Sequence, residues 1–127
     1  MDCDEKRALV DRYLSAYNAF DINGMLAVIH PDIEFKNVAG GEVNAKALGI
    51  NEFRKLAEQS RTIFSSRRQT IKTFNADGDQ AMIEVAYRGV LAIDLPNGMK
   101  QGQAMELAGR SEFGFSDGLI CRITDIS

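Results

Sequence analysis

The stretch DGDQAMIEVAYRGVLAIDLPNGMKQGQAMELAGRSEFGFSDG, residues 77–118, decides the fold of this chain. It carries three turn dipeptides spaced 20 residues apart: Asp77-Gly78, Asn97-Gly98 and Asp117-Gly118. Such dipeptides supply the positive φ angles that tight turns between antiparallel strands need. The sequence from about residue 66 to residue 127 is therefore predicted to form four paired strands.

The first half of the chain carries three helical patterns. A capping-box pattern at Asp2 precedes apolar residues at helical spacing, which predicts a first helix over about 3–20. Asp21 can cap a short second helix that ends before Pro31, because proline lacks a backbone donor. A third amphipathic helix is predicted from Gly49 onwards. The helical segments are thus gathered in the first half.

One strand is predicted among these helices. Residues 33–38 alternate apolar and charged side chains, Gly40-Gly41 ends the pattern, and a loop up to about residue 48 follows. Helices on one face of a long antiparallel meander make an α+β domain, whose long strands bend around their concave side. The sequence therefore predicts one α+β domain over residues 1–127, with a curved sheet around a pocket.

Composition limits the classes of partner. The chain has 127 residues, of which 45% are hydrophobic, and its 15 basic and 18 acidic residues include no basic cluster interleaved with aromatics. We therefore expect no nucleic-acid binding and no membrane span. The N-terminal segment lacks an apolar signal region, so a cytoplasmic location is expected. One histidine and two widely separated cysteines argue against a zinc site, and neither a metal nor a cofactor is predicted.

Strand parity predicts which side chains face the core. The inward set on the last three strands is Ile83, Val85, Tyr87, Gly89, Leu91, Ile93, then Met105, Leu107, Gly109, Ser111, Phe113, Phe115, then Cys121, Ile123 and Asp125. The opposite face mixes small residues with charged ones: Glu84, Arg88, Glu106, Arg110, Glu112 and Arg122. Two interpretations of that face remain open, a subunit interface with charge pairs or an ordinary exposed sheet.

Four segments carry a resemblance to known proteins: LVDRYL at 9–14, NAFDINGM at 18–25, HPDIEF at 30–35 and SDGLI at 116–120. With them the chain resembles the SnoaL-like and ketosteroid-isomerase-like proteins of the nuclear transport factor 2 superfamily. The resemblance implies a cone of curved sheet closed by three helices, usually in a homodimer. It also implies a deep apolar pocket for a cyclic or steroid-like small molecule.

The resemblance also assigns candidate catalytic residues. Tyr13 matches the tyrosine that donates a hydrogen bond to the substrate oxyanion in ketosteroid isomerases, although a core tyrosine is the alternative. The isomerases' base aspartate corresponds to Asn37, which cannot take a proton, and their second aspartate corresponds to Ser111. His30 or Asp125 could move the proton instead, with capping of helix-end carbonyls as the alternative role of His30.

The predicted pocket leaves several functions open. Its predicted ligand-binding wall comprises Tyr13, Tyr17, Phe20, Phe35, Asn37, Tyr87, Ser111 and Phe113. One hypothesis is an isomerase or a SnoaL-type polyketide cyclase acting on an apolar cyclic carbonyl compound. Another is a non-catalytic binding or dimerisation module that has lost the base. A comparison with limonene epoxide hydrolases would pair Arg110 with Glu112 and Asp125, but parity places Arg110 and Glu112 on the outward face.

Overall fold

The computed structural model describes residues 1–127. Nine helices and strands follow one another along the chain: α1 (Cys3–Asn18), α2 (Ile22–Leu26), β1 (Ile29–Ala39), β2 (Glu42–Leu48), α3 (Ile50–Arg61), β3 (Phe64–Asp77), β4 (Gln80–Leu91), β5 (Ala104–Ser116) and β6 (Leu119–Ile126). The strands form one sheet in the order β2-β1-β6-β5-β4-β3. Every neighbouring pair is antiparallel except β1 with β6, which is parallel. The α+β prediction and the four-stranded meander are confirmed.

The helices begin where the sequence predicts. The Glu5 N–H donates to the Asp2 carboxylate at 2.8 Å and the Asp2 N–H donates to the Glu5 carboxylate at 3.2 Å, which completes the capping box. Asp21 caps α2 by accepting from the Gly24 N–H at 2.9 Å. The first helix is two residues shorter than predicted, because Phe20 takes a left-handed conformation with φ of 57°. None of the three helices has the length and apolar character needed to cross a membrane.

Two of the three predicted turns are tight. In the β5–β6 turn both Asp117 and Gly118 have positive φ, as the dipeptide predicts. The β3–β4 turn is also two residues long, but Gly78 is its first central residue rather than its second. Asn97-Gly98 instead lies inside a longer connection between β4 and β5, in which Pro96 cannot donate to a ladder. The second hairpin therefore has an extended loop.

Part of the predicted loop after β1 is a strand. Gly40-Gly41 makes the predicted turn, with φ of 60° and 82°, and the chain then returns as β2 along β1. β2 lies at the edge of the sheet and is largely exposed, so its sequence lacks the alternation by which half-buried strands are recognised. β1 is also longer than predicted, because it begins before Pro31 with an irregular register to β6.

A bulge in β6 changes the predicted parity of one residue. The register between β5 and β6 shifts by one residue between Gly114 and Phe115, so that β6 has an extra residue at Cys121. Ile120 and Ile123 are consequently both buried, whereas Cys121 is only half-buried and lies outside the main core. The prediction that Cys121 faces the core was wrong for this reason. Beyond the bulge, Ser111 faces Asp125 across the strand pair.

The core lies between the helices and the concave face of the sheet. One continuous cluster joins all three helices to β1, β2, β4, β5 and β6, and its fully buried members include Val10, Val28, Ile33, Ile83, Phe113, Ile120 and Ile123. This core fills only part of the space under the sheet. A cavity remains on the same concave side, and it contains the candidate functional groups.

Candidate functional site

The cavity has a volume of about 750 Å³ and is lined mainly by apolar side chains. All three helices and all six strands contribute to its wall. Of the residues that the sequence predicts for the site, seven line this cavity: Tyr13, Tyr17, Phe35, Asn37, Tyr87, Ser111 and Asp125. Its size lies in the range of small-molecule sites, which are apolar clefts with a few polar groups.

Three polar residues form a row across adjacent strands. Asn37 of β1 is in register with Asp125 of β6, and Asp125 is in register with Ser111 of β5. The Ser111 hydroxyl donates to the Asp125 carboxylate at 2.6 Å. The Asn37 amide donates to the side-chain oxygen of Asn44 at 2.7 Å, which fixes its orientation. A carboxylate, that of Asp125, therefore lies one strand away from Asn37.

The pKa of the Asp125 carboxyl differs strongly from that of an exposed aspartate. Burial raises the pKa of this carboxyl to about 6, and the hydrogen bond from Ser111 offsets part of that shift. No arginine or lysine forms an ion pair with this carboxylate. Because both protonation states are then accessible close to neutral pH, Asp125 can accept a proton and return it.

Tyr13 projects from α1 into the same cavity. The residue is 4% exposed, and its ring packs edge-on against Phe113 with the centroids 6.2 Å apart. Its hydroxyl has no hydrogen-bond partner in the protein and is not sealed from the cavity. Burial first, and then the charge of Asp125, raise the pKa of Tyr13 well above its usual value. The hydroxyl therefore stays protonated and is free to donate to a ligand.

Two further tyrosines form a pair at the cavity wall. The hydroxyl oxygens of Tyr17 and Tyr87 lie 3.1 Å apart, and the two rings meet edge-on. Burial is the main cause that raises the pKa of each phenol. Since one hydroxyl donates to the other, the pair retains a proton that can reach a ligand oxygen.

Three predicted site residues lie elsewhere. Phe113 is 1% exposed and belongs to the core beneath Tyr13, and Phe20 sits in the turn after α1. His30 is part of β1 rather than a helix end, and it lines a separate surface cleft. There its Nε2 lies 3.0 Å from the Asp117 carboxylate, and its Nδ1 accepts from the Asp32 N–H. The structure therefore does not place His30 beside the cavity.

Sequence reasoning missed Arg67, which lies on β3 and also lines the cavity. Only 5% of the residue is exposed. Its guanidinium lies over the Tyr17 ring at 3.7 Å from the centroid and over the Phe20 ring at 4.6 Å, and its Nε donates to the Tyr17 carbonyl at 2.9 Å. One feature of the sequence could have indicated such a residue. α1 has no basic residue in its own last turn, so a cation from another element is needed to stabilise its C-terminal carbonyls.

The profile of the SnoaL-like domain matches residues 10–123, which is nearly the whole chain. The chain belongs to the SnoaL-like family. No curated protein matches its sequence. The suspected membership of the nuclear transport factor 2 superfamily is confirmed by this match and by solved structures of the same fold.

Solved structures with this fold include TsrD from Streptomyces laurentii, at 20% identity and a TM-score of 0.81, covering 98% of this chain and 89% of that one. A proposed polyketide cyclase from Xanthomonas campestris has 24% identity and a TM-score of 0.77, covering 98% and 90%. A protein with a ketosteroid-isomerase-like fold from Catenulispora acidiphila, in complex with trimethylamine, has 15% identity and a TM-score of 0.75, covering 92% and 82%. At these identities the likeness shows the fold. Family, fold and cavity together make this a small-molecule-binding SnoaL-like protein.

The raised pKa of the Asp125 carboxyl predicts how a neutral substitute affects stability. An unfolded aspartate has a pKa of about 4, so wild type loses stability as pH rises from about 4 through the folded value of about 6. Asp125→Asn keeps an acceptor for Ser111 and cannot ionise. Above pH ~7 we expect the free energy of unfolding of Asp125→Asn to exceed that of wild type by roughly 1–3 kcal/mol. Below pH ~4 the two proteins should be equally stable.

Urea denaturation over a series of pH values measures this difference. The matched control is Asp77→Asn at the exposed end of β3, which should follow wild type throughout. A destabilised Asp125→Asn protein at neutral pH, or a difference that does not change with pH, would contradict a buried carboxyl with raised pKa.

Proposed function

We propose that the protein is an isomerase or cyclase that acts on an apolar cyclic carbonyl compound through proton transfer by Asp125. The observation that carries this proposal is the Asp125 carboxyl in the cavity wall, held by Ser111 at 2.6 Å with a pKa raised to about 6. A general base works best when its pKa lies near the operating pH.

The proposed reaction begins with enolisation. The ionised Asp125 carboxylate removes a proton from the carbon next to the ligand carbonyl. The electron pair of that C–H bond forms a C=C bond, and the π pair of the C=O bond moves onto the carbonyl oxygen. Tyr13 donates a hydrogen bond to this oxygen as its negative charge develops. In this proposal the Asn37 amide lies next to Asp125 and orients the carbonyl compound.

The second half of the reaction determines the product. If the ligand carries a β,γ double bond, the enolate is a dienolate, and the protonated Asp125 can return its proton to the γ carbon; the double bond has then moved to the α,β position and the reaction is an isomerisation. If the enolate carbon attacks a second carbonyl of the same molecule, a C–C bond forms, Asp125 protonates the new alkoxide and the reaction is a cyclisation. The proposed polyketide cyclases among the similar structures support the second outcome.

Hydrogen–deuterium exchange tests the shared first step without knowledge of the natural substrate. A cyclic ketone such as 2-tetralone is incubated with the protein in D₂O, and loss of its α-proton signals is followed by NMR. Wild type should accelerate exchange above the buffer rate. Asp125→Asn should reduce this acceleration by about 100-fold or more, the usual contribution of a general base, and Tyr13→Phe should reduce it with little change in stability.

Asp77→Asn is the control for a carboxylate remote from the cavity and should exchange like wild type. The expected rate rises with pH through the pKa of Asp125 and then levels off, since only the carboxylate accepts a proton. Acceleration that survives in Asp125→Asn would refute Asp125 as the base. Binding of the ketone without any acceleration would favour a non-catalytic ligand-binding module.

We also propose that the outward face of β4 and β5 joins two copies of the chain. The centre of this face is the cross-strand pair of Ala86 and Ala108, which leaves room for close approach. Met82 is 39% exposed nearby, and Arg88 pairs with Glu106 at 3.3 Å on the same face. A twofold axis through the alanine pair would bring charged residues of both signs opposite one another.

Sedimentation velocity tests this interface. Wild type should sediment as a dimer, and Ala108→Arg should sediment as a monomer, because a long charged side chain cannot be buried at the centre of the contact. Gln101→Arg, which adds the same side chain in the β4–β5 connection, should remain dimeric. A monomeric wild type, or a dimeric Ala108→Arg, would refute this interface.

A further inference from the structure

Arg67 is a buried cation whose hydrogen bonds are incomplete. Its Nε donates to the Tyr17 carbonyl at 2.9 Å, and its Nη1 reaches the Ser60 hydroxyl only at 3.4 Å. Its Nη2 is buried and has no partner, and it is the one buried side-chain polar atom of the structure in that condition. Leaving a buried donor unsatisfied is costly, and more so when the group is charged.

No carboxylate neutralises this guanidinium. The ion pairs of the structure are all near the surface, and none involves Arg67. The charged residues at the cavity wall are Arg67, Arg110 and Asp125. Arg110 is exposed and lies opposite Glu84 on the outward face of the sheet, and Asp125 is engaged by Ser111. The faces of Tyr17 and Phe20 and the C-terminal end of α1 stabilise the cation in part, but they leave a net positive charge at the wall.

The charge of Arg67 acts on the interior of the cavity. It lowers the pKa of Tyr13, Tyr17 and Tyr87, against the larger effect of burial. These three phenols come from two different elements, α1 and β4, and all line the same space. A ligand that occupies this space is therefore exposed to the field of the guanidinium.

We infer that the natural ligand carries an anionic oxygen, a carboxylate or an ionised enol, that pairs with Arg67 while its rings occupy the apolar part of the cavity. The inference rests on the proposed function, for which it narrows the substrate to acidic cyclic compounds. Nε is held by the Tyr17 carbonyl, so the ligand would first meet Nη1, whose contact with Ser60 is long, and a small rotation of the side chain would bring Nη2 to the same anionic group. Arg67 would hold the acidic end of the ligand, and Asp125 would act at the carbonyl.

A matched pair of probes tests this preference. 2-Naphthoate and 2-naphthamide share one ring system and nearly one shape, but only the naphthoate is charged at neutral pH. Isothermal titration calorimetry with wild type should show the naphthoate binding more tightly by about 10-fold or more, the usual effect of a charge-assisted hydrogen bond. The same measurement with an ionised 1,3-diketone such as dimedone and with its neutral enol ether shows whether the site binds an enolate as well as a carboxylate.

The variants identify the residue responsible. In Arg67→Met the preference for naphthoate over naphthamide should disappear, and in Arg67→Lys, which keeps the charge, part of it should remain. Arg68→Met is the matched control, because it removes a cation from the next position of β3, where the side chain is exposed, and it should keep the preference. If Arg67→Met does not fold, the ratio of the naphthamide and naphthoate dissociation constants in wild type and in Arg67→Lys still tests the inference.

The outcomes separate this inference from the proposed function. Equal binding of both naphthalenes to wild type refutes the anionic ligand and leaves the cavity and its base unaffected. A preference for the naphthoate that persists in Arg67→Met refutes Arg67 as its cause. Failure of every probe to bind, together with absent 2-tetralone exchange, overturns the proposed function itself and this inference with it.

Discussion

The parallel pairing of β1 with β6 is the constraint on which the rest of the structure depends. It joins the strand that follows the first two helices to the last strand of the meander, so that the sheet curves around one interior. It also places Asn37 beside Asp125, and the next pairing adds Ser111 to the row. A slip of one residue in either register would turn the carboxylate to the opposite face.

The charged groups at the cavity wall lower the stability of the fold. Asp125 and Arg67 are charged groups at an apolar wall without a charged partner, and a neutral residue of similar shape at Asp125 is expected to raise the free energy of unfolding at neutral pH. Arg67 recovers part of that cost structurally, because it binds the last carbonyls of α1 and packs on Tyr17. One residue thus connects the first helix, β3 and the ligand space.

The sequence predicted the features that depend on local chemistry and not those that depend on register. The capping box at Asp2, the cap at Asp21 and the Asp117-Gly118 turn each follow from neighbouring residues, and all three are confirmed. The bulge that brings Ser111 opposite Asp125 has no local signature, and the exposed edge strand β2 has no apolar alternation. Parity did predict Asp125 and Tyr87 at the cavity, whereas nothing in the local sequence distinguishes Arg67, which is buried, from its neighbour Arg68, which is exposed.

The most direct test of the central claim is a carbon-13 NMR titration of the side-chain carboxyls, with the Asp125 signal assigned by its absence in Asp125→Asn. A buried carboxyl held by Ser111 should titrate with an apparent pKa of about 6. It should move further from the ordinary aspartate value when Ser111→Ala removes the hydrogen bond that favours the charged form. A midpoint near 4, the value of an exposed aspartate, would mean that Asp125 is solvated and that the cavity lacks the base assigned to it.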